Sequence, residues 1–186
     1  MLYQVGDDCF NPAEARKLGC VGVMAQTTSL LPWLTVRENM CIPSQLNHRL
    51  FQASDEDIFA VFGRLGLSRK VLGLQPHQLS FGMQQRVSFA RAIVYKPTFL
   101  LLDEVFNGLD TVNADALLNE IHDYVHAARA SCILVTHDVD RALAIADALL
   151  YLNSTGQLRA LPCPLSRETL IAEFQNDVVA GVDRIL

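Results

Sequence analysis

Thr98 to Leu102 (TFLLL) and Cys132 to Val135 (CILV) are short apolar runs with no alternation, and a long amphipathic stretch lies between them. A strand with one wet face alternates apolar and polar residues. A strand buried inside a sheet does not. The stretch between them, Thr111 to Arg129, gathers Leu117, Leu118, Ile121, Val125 and Ala128 on one side of a helix. Strands alternating with helices in this way predict an α/β fold, a parallel sheet flanked by helices.

The rest of the chain extends the pattern. Gly19 to Gln26 (GCVGVMAQ) reads as a strand. Leu30 to Met40 turns at Pro32 and enters a short helix. Ser54 to Leu65 is a helix: Ser54 caps it, Asp57 follows three residues on, Gly66 lies past its end, and Ile58, Val61, Phe62 and Leu65 share a face. Phe81 starts a helix reaching about Tyr95, before Pro97. Asp138 caps a helix running to about Asp147. Leu149 to Leu152 is a further strand, Gln157 to Leu161 another, and the tail from Ser166 is a last helix, strongest over Arg167 to Phe174.

With 186 residues the chain suffices for one domain with a real core. The net charge of -5 supplies no basic field for nucleic acid. The uncharged stretch from Gly19 to Val36 holds Gln26 and Pro32 and is too polar to span a membrane. Asp7 and Asp8 precede any apolar run, so no secretory signal is expected. Five scattered cysteines argue for a reducing, cytoplasmic setting and against disulfides or a zinc site.

In open parallel sheets, ligands sit beyond the carboxyl ends of the strands. Gln26, the pair Asp103 and Glu104, and His137 each follow a predicted strand. Asp103 suits magnesium, which keeps several waters while bridging phosphates. Glu104 can polarise a water attacking a terminal phosphate, and His137 can donate to that phosphate. Ser80-Phe81-Gly82 opens a helix, where free N–H groups favour anions. Singly, each has a plainer reading: a loop glutamine, a solvated strand end, a capping histidine, an N-cap serine. His122 and His126, four apart on a helix, have no evident third ligand and read as a solvated face. Arg86 and Arg91 read as supports of the helix after Ser80, or as partners of carboxylates.

Taken together, in order and spacing, these residues resemble the nucleotide-binding subunits of ABC transporters over roughly residues 1 to 165. Gln26 matches the Q-loop. Leu79 to Arg86 (LSFGMQQR) matches the signature, Phe99 to Glu104 matches Walker B, Gly108 to Asp110 the D-loop, and His137 the switch histidine. LLPWLTVREN and LSFGMQQRVSFARA look most like the importers of nitrate, sulfonate and taurine. The resemblance implies ATP and Mg2+ as cofactors, with Asp103 and Gln26 on the metal. Glu104, His137 and Gln26 would be catalytic, with Ser80, Gly82 and Asp110 on nucleotide. It implies a sheet core over residues 1–30 and 97–165, a helical subdomain over 40–96 and a C-terminal helix over 166–186. It also implies a second nucleotide-binding subunit and a membrane permease as partners, at the inner face of the membrane. In such subunits the segment around Trp33 touches the permease.

Three departures qualify this. No G-x-x-x-x-G-K-[ST] occurs, and none of the lysines, Lys17, Lys70 and Lys96, follows a glycine. The chain opens just after the place where the family's phosphate-loop helix ends. Its strand lies inside the family's sheet, so exposed apolar surface and open strand edges are expected. Phe81 replaces the first glycine of LSGG, and Val105 replaces a proline. Three readings stand open: an importer ATPase subunit, a non-catalytic partner of a complete subunit, and a DNA-repair type ATPase. The absence of long heptads disfavours the third.

Overall fold

The computed structural model describes residues 3–5, 8–10, 21–27, 29–46, 53–152 and 156–172. The predicted strand residues Gly19 and Cys20 and the tail from 173 onward lie outside them. The chain divides into two units, Met1–Val135 and Thr136–Leu186.

In the first unit, β1 (Tyr3–Val5) and β2 (Asp8–Phe10) form an antiparallel hairpin. The apolar runs form the parallel sheet that their sequence predicts. It holds β3 (Val21–Met24), β4 (Phe99–Asp103) and β5 (Ser131–Val135), with β4 in the centre. Val21 lies beside Phe99 and Phe99 beside Ser131; Met24 lies beside Leu102 and Leu102 beside Leu134. The three strands therefore end together.

One sheet face is packed: Gly22, Met24, Leu100 and Leu102 are buried. The helix α3 (Phe81–Ile93) is buried along Val87, Phe89 and Ala90. A Cβ at Gly22 would lie 2.5 Å from Ala92 O, so β3 approaches the end of α3 as only glycine allows. On the opposite face Val23, Ile133 and Val135 are exposed.

Helix α1 (Val36–Leu46) runs past Met40 and through Pro43, further than the sequence suggests. Proline removes one helical donor. Nearby, the Ser44 hydroxyl donates to Cys41 O and Tyr95 Oη donates to Met40 O at 2.6 Å. Helix α2 (Asp55–Arg64) has the expected capping box between Ser54 and Asp57. Two 3-10 turns, Arg69–Gly73 and Pro76–Gln78, fill the stretch before the signature. Their periodicity is too short to register as an amphipathic pattern. Helix α4 (Thr111–Ala128) buries Ala114, Leu117, Leu118, Ile121 and Tyr124, and the Tyr124 hydroxyl donates to Pro97 O at 2.8 Å.

In the second unit, Asp138 caps α5 (Val139–Ile145). The predicted last strands form as β6 (Ala148–Leu152) and β7 (Leu158–Pro162), but they pair antiparallel with each other. The connection from Leu152 to Leu158 is far too short for a parallel crossover. The predicted tail helix is present over its described residues, 167–172, with Leu170 buried. Among the described residues, no helix is long and apolar enough to cross a membrane.

Candidate functional site

β4 ends at Asp103, and Glu104 immediately leaves the strand geometry with φ 48. Its N–H donates to the carbonyl of Val135, the last residue of β5, at 2.9 Å. Glu104 is thus pinned across the ends of two strands. Among the described residues, non-glycine positive φ values otherwise occur at Lys96 and Arg129, which follow the ends of helices. A left-handed residue after a helix is a common stop. After a strand it is strain, and strain that the surrounding fold maintains concentrates at functional positions. Met24 is level with Leu102, so Gln26, two residues beyond β3, emerges at the same sheet end as Asp103. Asp103 and Gln26 are exposed and Glu104 is half-buried. The fold therefore brings three of the predicted residues to one edge. His137 belongs to the second unit, beside Asp138, whose N–H donates to Thr136 Oγ1.

The signature turn has its own surroundings. Ser80 caps α3, its hydroxyl accepting from Met83 N at 3.3 Å. Gly82 faces Leu109 and Asn113, to which a Cβ would come within 3.6 Å. Phe81, 45% exposed, lays its ring against Gly108. The turn at 80–82 and the loop at 108–110 therefore form one surface. Asp110 caps α4: one carboxylate oxygen accepts from Asn113 N at 2.9 Å, the other from Asn113 Nδ2 at 2.5 Å. The backbone and side-chain bonds from Asn113 hold this carboxyl below its usual range. Arg86 and Arg91 bind carbonyls instead of carboxylates: Arg86 donates to Gly82 O and Leu65 O, and Arg91 to Ser29 O.

Asn39 shapes the segment between β3 and α1, and the sequence reading passes over it. It is fully buried. Its Oδ1 accepts from Leu31 N at 2.7 Å, while its Nδ2 faces the carbonyls of Leu31, Leu34 and Thr35. The one signal for it is indirect. Thr35 and Glu38 make a capping box that fixes where α1 starts, and Asn39 follows directly. Trp33, at the outer part of this segment, is 68% exposed. His122 and His126 stand with ring centroids 4.2 Å apart. No cluster of three or more metal-ligating side chains occurs among the described residues.

The sequence pattern of the ABC transporter family matches residues 4–107, more than half of the chain. The chain belongs to the ABC transporter family. Relatives of this ABC transporter chain include the nitrate import ATP-binding protein NrtC of Synechocystis sp., 37% identical over 155 residues, covering 80% of this chain and 23% of NrtC. The bicarbonate transport ATP-binding protein CmpD of the same organism is 34% identical over 156 residues, covering 78% of this chain and 54% of CmpD. The chain thus spans from about a quarter to about half the length of these curated relatives. In three dimensions it resembles the ATP-binding cassette MJ0796 in a dimeric post-hydrolysis state with ADP and Pi. That match has a TM-score of 0.71 at 24% identity and covers 87% of this chain and 72% of that one. A second dimeric structure of MJ0796 matches with a TM-score of 0.68 at 25% identity, over 84% of this chain and 69% of the other. The α/β architecture is that of an ABC ATPase cassette.

Proposed function

We propose that this chain is the ATP-binding component of an ABC import system and that it supplies two half-sites. The observation that carries this reading is the convergence of Gln26, Asp103 and Glu104 at one sheet end, with Glu104 held in a strained backbone. Glu104 is the base that orients and polarises the attacking water. Asp103 and Gln26 offer oxygen donors whose hardness fits magnesium, an ion that completes its shell with waters and phosphates. The metal, when bound, neutralises charge on the phosphates. Ser80 and Gly82 face the nucleotide of a second subunit, and Asp110 is a further nucleotide contact.

The triphosphate itself is poorly provided for. The 186 residues contain no G-x-x-x-x-G-K-[ST] motif, the sequence of a loop and lysine that cradle phosphates. On this reading the chain alone does not turn over ATP, and its signature acts on nucleotide held by a complete partner. The signature turn belongs, on this reading, to a helical subdomain set beside the sheet core. The permease is the second partner, met at the cytoplasmic face of the membrane.

A second reading, a non-catalytic partner of a complete subunit, draws on the Phe81 ring that sits in the signature turn. One experiment addresses both. Phosphate release is measured for the chain alone and for a complete homologue titrated with it. We expect no release alone and a changed rate in the mixture. Magnesium-dependent hydrolysis by the chain alone overturns the half-site reading. An unchanged rate with no complex removes the partner role.

A further inference from the structure

Arg91 and Ser29 are 62 residues apart in sequence, yet Arg91 Nη1 donates to Ser29 O at 3.0 Å and Nη2 donates to the Ser29 hydroxyl. Arg91 lies near the end of α3, the helix that begins with the signature turn. Ser29 lies on the segment that begins with Gln26. A guanidinium offers a planar fork of donors, and here it grips both oxygens of one residue. Burial draws the Arg91 pKa below its ordinary value.

The other supports of the segment lie further along it. Asn39, on α1, holds Leu31, Leu34 and Thr35. Tyr95, just beyond α3, donates to Met40 O and so ties α3 to α1. Between Gln26 and Leu31, the Arg91 side chain supplies a tie from α3. Among the described residues the segment is fastened to α3 directly at Ser29, and through Tyr95 and α1 beyond Leu31.

From this geometry we propose that Arg91 is a positioning residue: it makes the Gln26 segment follow the signature helix. A displacement of α3, as when its N-terminal turn meets a partner's nucleotide, is passed through Arg91 to Ser29 and on to Gln26. The two half-sites of one chain are thereby linked mechanically. The functional meaning of this link rests on the proposed role of Gln26. The link itself is testable without nucleotide, so its failure and the failure of that role are distinguishable.

Hydrogen exchange on the full chain provides the test, comparing wild type with Arg91→Lys, Arg91→Ala and Ser29→Ala. The reporter is the amide of Leu31, which Asn39 protects. The reference is α4. Loss of a charged grip on two oxygens should raise exchange of the 26–31 segment roughly tenfold. Arg91→Ala should show this with α4 unchanged. Arg91→Lys should restore part of the protection, and Ser29→Ala should show a smaller rise, since the carbonyl bond survives. The single tryptophan, Trp33, gives a second signal: its fluorescence anisotropy should fall in Arg91→Ala and recover in Arg91→Lys. Equal rises in the segment and in α4 would mean that Arg91 only stabilises the fold. No change at Leu31 in any variant would equally overturn the link. If Arg91→Ala does not fold, Arg91→Lys and Ser29→Ala carry the same comparison.

Discussion

The Phe81 ring occupies the space in which a side chain at Gly108 would have to stand. A Cβ built on Gly108 would lie 2.9 Å from Phe81 Cε1 and 3.3 Å from Cζ, and Gly108 has φ +75. Two demands therefore fall on one residue: a left-handed backbone and the absence of a side chain. They have separate origins. The backbone demand belongs to the loop between β4 and α4, and the steric demand belongs to Phe81.

Gly108→Ala should destabilise the chain by about 1–3 kcal/mol from the backbone alone, with the clash adding to it. In Phe81→Ala the clash disappears and the backbone cost stays. A double-mutant cycle by urea unfolding should return a coupling of about 0.5–3 kcal/mol between the two positions. Additive effects would mean that the ring moves aside freely and that the signature turn is independent of the D-loop.

What the sequence discloses depends on how local the cause is. β4 and β5 are legible because burial makes them continuously apolar, and α2 because Ser54 and Asp57 write its start. Asp103, Glu104 and Gln26 are legible as strand ends, since a parallel register brings strand ends together without further information. Asn39 and Arg91 are not. Each binds main-chain carbonyls, and a carbonyl carries no sequence signature. The contact of Phe81 with Gly108 joins two recognisable motifs, but nothing in either says that they touch. The antiparallel pairing of β6 with β7 could have been read from the short connection, which outweighs the apolar pattern that β6 shares with buried strands.

Tyr124 gives a pH dependence with a definite sign. Burial raises its phenol pKa from 10.0 to about 12, against the lowering effect of Arg64. Its proton is used in the bond to Pro97 O. The folded state favours the protonated phenol, so the contribution is complete below pH 10 and is lost as pH rises from 10 through about 12. Tyr124→Phe should cost about 1 kcal/mol at neutral pH, the net worth of one hydrogen bond. It should also unfold less steeply with alkali than wild type. Because Tyr95 is raised in the same direction, the measurement is the difference between the two proteins across that window. Parallel alkaline curves would show that Tyr124 ionises as easily folded as unfolded.

Glu104 is the residue on which the catalytic reading turns. Its backbone strain is accompanied by the bond from its N–H to Val135 O, which Gln at position 104 leaves in place. Glu104→Gln keeps the size, the strain and that bond, and removes only the basic oxygen. The test uses a chain extended at its N-terminus by the phosphate-loop unit of a complete relative, so that nucleotide is held. There Glu104→Gln should lower turnover by roughly 10²–10⁴, the usual worth of a general base, while ATP affinity changes little. The melting temperature should stay within a few degrees, because Gln keeps the volume of the half-buried side chain and the backbone bond to Val135 O. A near-normal rate would take the base role away from Glu104. A large fall in melting temperature would mean that the carboxylate helps to hold the ends of β4 and β5 together, and that its position past the strand is structural.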